Sequence, residues 1–461
     1  MVKYQKYKEI NLPWLKMIPA NWDIKRNKQF LHERKKIVGN KSSEYTLLSL
    51  TLRGIVVRDL SENKGKIPAS FDNYKIVEPG DIAFCLFDID ETPRTVGLSK
   101  YKGMLTGAYN IFHIEGINAR YLYYYYLALD NIKGLRPLYT GLRKTINVNT
   151  FLSQQMPVPP RAEQDQIVRF LDWKVSEINK LIGIRRKEIQ ELEELRENTI
   201  LHTTTSGLDT SVPMKRTDNF WIGTIPEHWN VVQVRRVYSV ILGKMLATKP
   251  AYSSDTYEEY VCAKDVHFDG VDLSDLKQMW FSTSEKQQYK IEANDLLIVE
   301  GGAGAGNAAL VEEPLDRDIY VQNSIHIVRP KSNRATTKFL AYWMRSMVKR
   351  NYMTFVCSVA TIPHYTKDKV MSTVMPLPPE NEQKEIVRYL DNECEKINNL
   401  ITKKHSQIAT LQELKNSLIS DVVTGKIDVR NVTVPEYEHV DDIVDDDSEN
   451  NEETETDGEE A

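Results

Sequence analysis

A glycine-rich stretch at residues 301–306 (GGAGAG) is the part of the sequence with the clearest potential for chemistry. It follows a predicted buried strand, Leu296–Val299, and glycine after a strand lets the backbone come close to a bound phosphate. The stretch lacks the Lys-Ser/Thr pair of a phosphate-binding loop, and no clear helix is predicted after Asn307. We therefore favour a glycine hairpin that allows close approach of the backbone to a partner. A nucleotide-dependent enzyme with a site near residues 301–307 is the alternative.

Other catalytic patterns are absent from the sequence. It contains no Asn-Pro-Pro-aromatic or Asp-Pro-Pro-aromatic tetrapeptide of an amino-methyltransferase, no Walker pair and no His-Glu-x-x-His. The nine histidines and four cysteines are dispersed, without the spacing of a metal site or a disulfide framework. The chain is therefore predicted to have no catalytic residue, no metal and no cofactor of its own.

Charge is distributed unevenly along the chain. Residues 436–461 carry 14 acidic side chains and no Lys or Arg, whereas the rest has 60 basic and 51 acidic residues. A basic body favours a polyanionic partner, and residues 431–461 are predicted to form a disordered acidic tail. We expect no signal peptide, because residues 1–10 are polar and rich in lysine, and no apolar run reaches the ~18 residues that span a membrane. We expect a cytoplasmic protein with no membrane partner.

Two copies of one long helix must position everything else. The tetrapeptide PVPP at 157–160, followed by Glu163 and Gln164, recurs as PLPP at 376–379, followed by Glu382 and Gln383, at an offset of 219 residues. Each copy continues with apolar residues at alternating spacings of four and three, the a/d seam of a coiled coil. The principal seam residues are Ile167, Leu171, Ile178, Ile182, Ile189 and Leu192 in the first copy, and Ile386, Leu390, Ile397, Ile401, Ile408 and Leu411 in the second.

Basic residues interrupt both seams at matching places, Arg185 with Arg196 and Lys404 with Lys415. A helix of about 40 residues would be roughly 60 Å long. Alone it would expose its apolar stripe, and the other copy is the nearest partner. Packing of each helix against its own domain is the alternative.

The segments before the two helices are also related. Trp14, Ile18-Pro19 and Trp22 recur as Trp221, Ile225-Pro226 and Trp229, although the sequences between these anchors differ strongly. Both segments are predicted to combine buried strands with a supporting helix. The predicted fold class is α+β: two mixed α/β domains joined by two long helices that form an antiparallel coiled coil with pseudo-twofold symmetry.

The PxPP-x-x-Glu-Gln-x-x-Ile-Val-x-aromatic-Leu-Asp pattern before a long helix, present twice, resembles the specificity subunits of type I restriction-modification systems. The Ile-Pro-x-x-Trp motifs resemble that family too, and the likeness covers about residues 10–430. It implies target recognition domains at 1–156 and 207–375, helical spacers at 157–206 and 376–430, and the acidic tail outside the family pattern. Such a subunit is expected to be non-catalytic and to read a bipartite target in double-stranded DNA.

The resemblance also implies the partners of the chain. Two methyltransferase (modification) subunits would dock on the helices, and the restriction/translocase subunits would join them. S-adenosylmethionine, ATP and Mg are expected on these partner subunits and not on this chain. A coiled-coil scaffold without a nucleic-acid role is a further alternative.

Candidate DNA contacts lie in polar or turn-like stretches of both domains. The loop at 141–146 (GLRKTI) resembles a family loop that approaches DNA, and its counterpart at 360–365 (ATIPHY) lacks the basic pair. Lys and Arg would bind phosphates, while a few side chains would contact base edges. The candidates are Arg53, Arg58, Arg94, Arg143 and Lys144 in the first domain, and Lys244, Asn307, Thr361 and His364 in the second.

Overall fold

The computed structural model describes residues 2–58, 70–140, 144–357 and 363–442. The chain divides into unit 1, which comprises Met1–Lys187 and Lys404–Ala461, and unit 2, which comprises Glu188–Lys403. Both long helices are shared, because each begins in one unit and ends in the other. Each unit therefore contains one domain and half of each long helix.

Unit 1 is built on an antiparallel four-stranded sheet in the order β4-β11-β8-β9. Smaller antiparallel pairs are β1 with β2, β3 with β12, β5 with β6, and β7 with β10. The strands are β1 Tyr7–Leu12, β2 Leu15–Pro19, β3 Asp23–Arg26, β4 Leu31–Glu33, β5 Leu48–Thr51, β6 Gly54–Val57, β7 Lys75–Val77, β8 Ile82–Phe84, β9 Val96–Leu98, β10 Gly103–Leu105, β11 Asn110–Ile114 and β12 Gln155–Val158. The helices are α1 Ala119–Asn131, α2 Val148–Ser153 and α3 Arg161–Ser206.

Unit 2 repeats this plan with a sheet in the order β16-β24-β21-β22, the pair β15 with β25, and the pair β13 with β14. It adds a three-stranded sheet, β20-β17-β23, and the hairpin β18-β19. The strands are β13 Met214–Arg216, β14 Thr224–Pro226, β15 Asn230–Gln233, β16 Tyr238–Leu242, β17 Thr256–Val261, β18 Val266–His267, β19 Gly270–Val271, β20 Lys277–Phe281, β21 Leu296–Val299, β22 Ala308–Leu310, β23 Tyr320–Val321, β24 Ile325–Pro330 and β25 Val374–Leu377. The helices are α4 Val234–Val237, α5 Thr283–Tyr289, α6 Thr337–Lys349, α7 Tyr352–Val356, α8 Lys367–Ser372 and α9 Glu380–Val423.

Local sequence explains the helix that supports each sheet. The Asn118 side chain accepts from Arg120 N and Tyr121 N at the start of α1, and the Thr336 side chain accepts from Phe339 N at the start of α6. These are N-caps, which satisfy amide groups that the helix leaves unpaired. The tyrosine run of α1 is largely buried, with Tyr125 fully so, and these side chains pack in the core of unit 1. Trp22 and Trp229, which are anchors of the repeat, are also fully buried.

The long helices begin later than the sequence predicted. Pro157 is the first residue of the predicted helical spacer, yet it lies in β12, paired with Ile24 of β3, and α3 starts at Arg161. Pro376 lies likewise in β25. Proline has no amide hydrogen, and a strand with one neighbour tolerates this at its open edge. The proline-rich tetrapeptides therefore join each domain to its helix.

Candidate nucleic-acid interface

A buried glutamine fastens the start of each long helix to its domain. Gln164 Oε1 accepts from Asn118 N (2.9 Å) and its Nε2 donates to Pro159 O (2.8 Å). In unit 2, Gln383 Oε1 accepts from Thr336 N (3.0 Å), and its Nε2 donates to Pro378 O (2.8 Å) and Arg334 O (2.9 Å). This joint explains why the Glu-Gln motif recurs, a role that the sequence analysis did not assign.

A carboxylate about two helical turns further on binds the supporting helix in both units. Asp172 accepts from Tyr124 OH at 2.8 Å and from Arg120 Nη2 at 2.7 Å. Asp391 accepts from Tyr342 OH at 2.7 Å and forms an ion pair with Lys338 at 3.1 Å. Sequence reasoning could have found this second joint, because the tyrosine and the aspartate recur at offsets of 218 and 219.

The predicted seam is buried or half-buried along its whole length. In unit 1, Ile178 and Ile182 are 6% and 3% exposed, and in unit 2 Ile397 is 6% exposed. Two polar contacts define an antiparallel register, since Lys415 Nζ lies 3.3 Å from Asn179 Oδ1 in unit 1, and Arg196 Nη1 lies 2.6 Å from Asn398 Oδ1 in unit 2.

Near the domains the seam has a second role. Ile386 and Leu390 belong to the apolar core of unit 2, together with Trp229 and Trp343. The alternative of packing against the helix's own domain is thus correct for these positions, while the middle of each helix packs on the other helix.

The glycine-rich stretch forms the hairpin that the sequence predicted. It connects β21 to β22, with Gly306 N donating to Val299 O at 2.9 Å. Gly302 and Gly306 have positive φ, which glycine adopts without steric cost. A strand follows, so no helix N-terminus lies behind the loop to bind a phosphate, which weakens the nucleotide alternative.

A second segment lies against this hairpin. Tyr365 N donates to Glu300 O (2.6 Å), Gly302 N donates to Pro363 O (3.2 Å), and Gly301 forms a bridge with His364. The structure therefore brings the Asn307 hairpin and His364 together. Burial raises the pKa of the Glu300 carboxyl, and the charge of His364 opposes that shift.

Unit 1 has the equivalent edge. The loop between β8 and β9 lies beside residues 144–146, and Ile146 N donates to Leu86 O at 2.7 Å. Here Lys144 Nζ lies 3.3 Å from Glu91 Oε1 and 3.7 Å from Asp90 Oδ2. Arg136 also binds Asp90 and lowers the pKa of that carboxyl. The sequence analysis missed these acidic residues, which partly neutralise the cations of this edge.

The other candidates occupy different environments. Arg53 is exposed in the turn between β5 and β6, and Arg58 follows β6 and is half-buried. The side chain of Arg94 is only 14% exposed and binds Asp130 (3.0 Å), so it holds the end of α1. The side chain of Lys244 is 13% exposed and binds Glu285 (2.5 Å). These two buried ion pairs argue against base contacts by Arg94 and Lys244. Arg143 and Thr361 lie outside the described residues.

Part of the acidic tail packs on unit 1. Gln166 Nε2 donates to Val429 O (3.0 Å) and Val432 O (2.7 Å), and Asn179 Nδ2 donates to Val440 O (3.0 Å). The prediction of disorder therefore does not hold for residues 432–442, and residues 443–461 lie outside the described range.

Within residues 2–58, 70–140, 144–357 and 363–442, every helix is too short or too polar to span a membrane. The same residues contain no group of three or more His, Cys, Asp or Glu arranged to hold a metal ion.

Comparison with known proteins finds one family. The family model described as the type I restriction modification DNA specificity domain matches residues 61–199 and 226–410. The type I restriction enzyme MjaVIII specificity subunit of Methanocaldococcus jannaschii is 25% identical over 301 residues, which cover 62% of this chain and 65% of that protein. The EcoBI specificity subunit of Escherichia coli is 22% identical over 300 residues, covering 62% of this chain and 60% of that protein. The match thus spans less than two thirds of these relatives.

A solved chain gives the same answer for the fold. It comes from work on the complex assembly and conformational transition of the type I R-M system. It aligns with a TM-score of 0.62 at 14% identity, covering 89% of this chain and 99% of that chain. This likeness confirms the predicted α+β fold class with two domains and long connecting helices.

Proposed function

The chain belongs to the family of type I restriction modification DNA specificity proteins, and we propose that it selects the target sequence for a type I restriction-modification complex. Its substrate is a bipartite site in double-stranded DNA, and each domain reads one half. The chain itself carries no catalytic site, and the chemistry belongs to its partner subunits.

One observation carries this proposal. Each unit presents the same edge, made by the loop after one central strand and the segment before a short helix, but the residues on the two edges differ. In unit 1 this edge carries Lys144 beside Asp90 and Glu91, whereas in unit 2 it carries a glycine hairpin beside His364. Two domains of the same fold that carry different side chains on equivalent edges can recognise two different half-sequences, because side-chain chemistry distinguishes the edges of the bases.

The long helices are proposed to set the distance between the two half-sites. Both are continuous from one unit to the other, with 46 residues in α3 and 44 in α9. One heptad inserted into both helices, after Lys187 and after Lys403, preserves the seam and lengthens each helix by about 10 Å. The gap between the half-sites should then grow by about three base pairs, given roughly 3.4 Å per base pair.

Mapping of methylated sites in DNA exposed to the assembled complex tests this. The wild-type complex should methylate a split sequence, and the doubly extended variant should methylate the same half-sequences with the longer gap. Insertion into α3 alone is the control, because it breaks the register with α9 and should abolish site-specific methylation. If a folded, doubly extended variant methylates sites with an unchanged gap, the long helices do not set the distance between the half-sites. Absence of DNA retention by the wild-type complex would favour the scaffold alternative.

Partner docking is proposed at two equivalent apolar patches on the helices. In unit 1, Leu181 and Leu414 are 43% and 52% exposed, and in unit 2, Leu400 and Leu195 are 47% and 53% exposed. Leu181 and Leu400, and likewise Leu195 and Leu414, are related by the 219-residue offset. Two copies of one surface suit two copies of one partner, which we assign to the methyltransferase subunit, with the restriction/translocase subunits joining it. S-adenosylmethionine, ATP and Mg are proposed to bind these partners.

Native mass spectrometry of the complex with the methyltransferase subunit tests the docking sites. The Leu195→Asp/Leu400→Asp variant should bind one methyltransferase instead of two, and so should Leu181→Asp/Leu414→Asp. All four substitutions together should bind none. Retention of two methyltransferases by either double variant contradicts the assignment.

A further inference from the structure

The chain's own C-terminal residues 436–442, here called the C-terminal strap, lie along α3 beside Lys415 of α9 and Lys100, at a place here called the groove of unit 1. Asn179 Nδ2 donates to Val440 O (3.0 Å), and Val440 N donates to Ser176 Oγ (3.4 Å). Ser176 Oγ also lies 3.3 Å from His439 Nδ1. The strap therefore runs along α3 and bonds to it through its backbone.

The charges of this groove and its occupant are complementary. Lys415 Nζ lies 2.8 Å from Asp442 Oδ1, and Lys100 Nζ lies 2.8 Å from Asp441 Oδ1. A third pair joins Lys180 to Glu438 at 3.4 Å. The groove of unit 1 is thus basic, and the strap that fills it is acidic.

In the equivalent groove of unit 2, here called the open groove, none of the described residues takes the place of the strap. A cavity of about 720 Å³ lies between α6 and α9, and Glu395, Asn398 and Asn399 are among the residues that line it. By the 219-residue offset these are the counterparts of Ser176, Asn179 and Lys180, all of which touch the strap in unit 1. The far wall is formed by residues around Phe268 and Pro314.

A basic side chain of the partner helix orients the equivalent asparagine in both grooves, Asn179 in unit 1 and Asn398 in unit 2. In unit 1 the side chain of Lys415 binds Asn179 Oδ1, which leaves Nδ2 to donate to the strap. In unit 2, Arg196 is the counterpart of Lys415 and binds Asn398 Oδ1 at 2.6 Å. The Asn398 Nδ2 has no hydrogen-bond acceptor among the described residues. Two of the four basic interruptions of the seam, Lys415 and Arg196, thus gain a role, since they orient an amide donor toward each groove.

The open groove has the opposite charge. Two of its cations are already paired, because Lys338 binds Glu312 (2.7 Å) and Arg345 binds Glu197 (2.9 Å). Lys338 also pairs with Asp391, and Arg345 with Asp269, both of which line the cavity.

Two further carboxylates make this groove acidic. Glu313 and Glu395 line the cavity and have no ion pair with any described residue. At these helix positions unit 1 has Ser176 in place of Glu395 and Lys180 in place of Asn399. An acidic groove repels the chain's own acidic C-terminus and attracts lysine and arginine.

We propose that the open groove of unit 2 binds an extended, basic peptide segment of another protein chain. Asn398 Nδ2 donates to a backbone carbonyl of that segment, as Asn179 does to Val440 in unit 1. Glu395 and Glu313 bind its lysine or arginine side chains. The segment thereby takes the place that the C-terminal strap takes in unit 1. This site is independent of the proposed DNA contacts and its test does not require DNA.

Fluorescence anisotropy with the full chain and two labelled peptides tests the proposal. One peptide has the strap sequence EYEHVDD, and the other, KYKHVKK, has each acidic residue replaced by lysine. The basic peptide should bind saturably, and the acidic peptide should bind at least about tenfold more weakly, since two ion pairs become repulsive contacts. Tighter binding of the acidic peptide would assign the groove to the chain's own tail and overturn the proposal.

Groove variants identify where the basic peptide binds. Glu313→Lys/Glu395→Lys should weaken its binding about tenfold, and Asn398→Ala about fivefold, for one lost hydrogen bond. Glu385→Lys is the control, because it makes one such Glu→Lys change on an exposed part of α9 outside the cavity, and should leave binding within about twofold. If the groove variants bind the basic peptide as tightly as the wild type, the peptide binds elsewhere, for example to the acidic tail, and the proposed site is wrong.

Photocrosslinking provides a second readout that needs no variant. A basic peptide with benzoylphenylalanine in place of tyrosine should crosslink to residues 338–345 or 391–399, as read by mass spectrometry. Crosslinks confined to other segments contradict the proposal.

Discussion

Replacement of Gln383 by alanine tests whether the repeated Glu-Gln motif is the joint between helix and domain. The side chain is fully buried and makes three hydrogen bonds of 3.0 Å or less, to Thr336 N, Arg334 O and Pro378 O, besides a long one of 3.5 Å from Thr336 Oγ1. Each lost bond leaves a partner group without its donor or acceptor in a place that water reaches poorly, at about 1–1.5 kcal/mol. Gln383→Ala should therefore destabilise unit 2 by about 4 kcal/mol.

Gln164→Ala supplies an internal comparison. Gln164 makes only two such bonds, to Asn118 N and Pro159 O. We expect a loss of about 3 kcal/mol in unit 1, one bond less than in unit 2. Gln383→Met keeps most of the side-chain volume but no hydrogen bond, so it separates the bonding contribution from that of a cavity.

Hydrogen–deuterium exchange of the full chain across a urea series is the suitable assay. A protein of two units does not unfold in one two-state step, and exchange reports each unit separately. Gln383→Ala should lower protection in α6 and β25 and leave α1 and β12 unchanged, while Gln164→Ala should do the reverse. Full protection in Gln383→Met would show that the hydrogen bonds of Gln383 do not hold the helix to its domain. An equal loss of protection in both units of Gln383→Ala or Gln164→Ala would contradict a separate joint in each unit.

Three further predictions follow from individual residues. Burial lowers the pKa of His326 to about 4, below the ~6.5 of an unfolded chain, so the unfolded state binds the proton first as pH falls. Unit 2 should keep its full stability above about pH 6.5 and lose roughly 2 kcal/mol between pH 7 and 5, and His326→Gln should flatten this slope in pH-dependent urea denaturation. Gly425 has φ +75°, and a Cβ there would lie 2.4 Å from Pro19 Cδ, so Gly425→Ala should destabilise unit 1 by about 1–3 kcal/mol in the same assay, and an unaffected midpoint would contradict this. Arg143→Ala in the assembled complex should cost about 1–3 kcal/mol of discrimination at one base pair, measured by competition binding; unchanged affinity and preference would remove Arg143 from the candidates.

The sequence was sufficient to predict the helices and the hairpin that make up the repeated architecture. Seam positions such as Ile178 and Ile397 were correctly predicted to be buried, since a/d spacing follows directly from helix geometry. The glycine hairpin and the two supporting helices were also predicted correctly, because a strand before a turn and a capped apolar run are local signals. Local signals did not reveal that Pro157 continues a strand, since that depends on its pairing with β3.

Individual charges were the least predictable features. Arg94 and Lys244 occupy polar stretches of sequence, but their partners Asp130 and Glu285 lie 36 and 41 residues away. Sequence alone predicts that a charged side chain in a turn is exposed to solvent, because a partner carboxylate that is distant in sequence becomes its neighbour only in the fold. The strap was missed for the same reason, because its acidic composition predicts disorder and only the basic groove of unit 1 orders it.

The two units differ most at surface positions, where the side chains make the fewest contacts within their own unit. The glutamine joint requires one side-chain geometry to bond two backbone segments, so both copies retain it. Glu163 and Glu382 have diverged, since Glu163 accepts from Trp22 Nε1 at 2.8 Å, whereas Glu382 binds His228 and the buried Trp229 Nε1 has no partner among the described residues. The loop edges and the two grooves have diverged further, in sequence and in charge. Because the joints stay constant while the surfaces change, the two units are able to differ in the DNA half-sites and the protein contacts proposed for them without a change of fold.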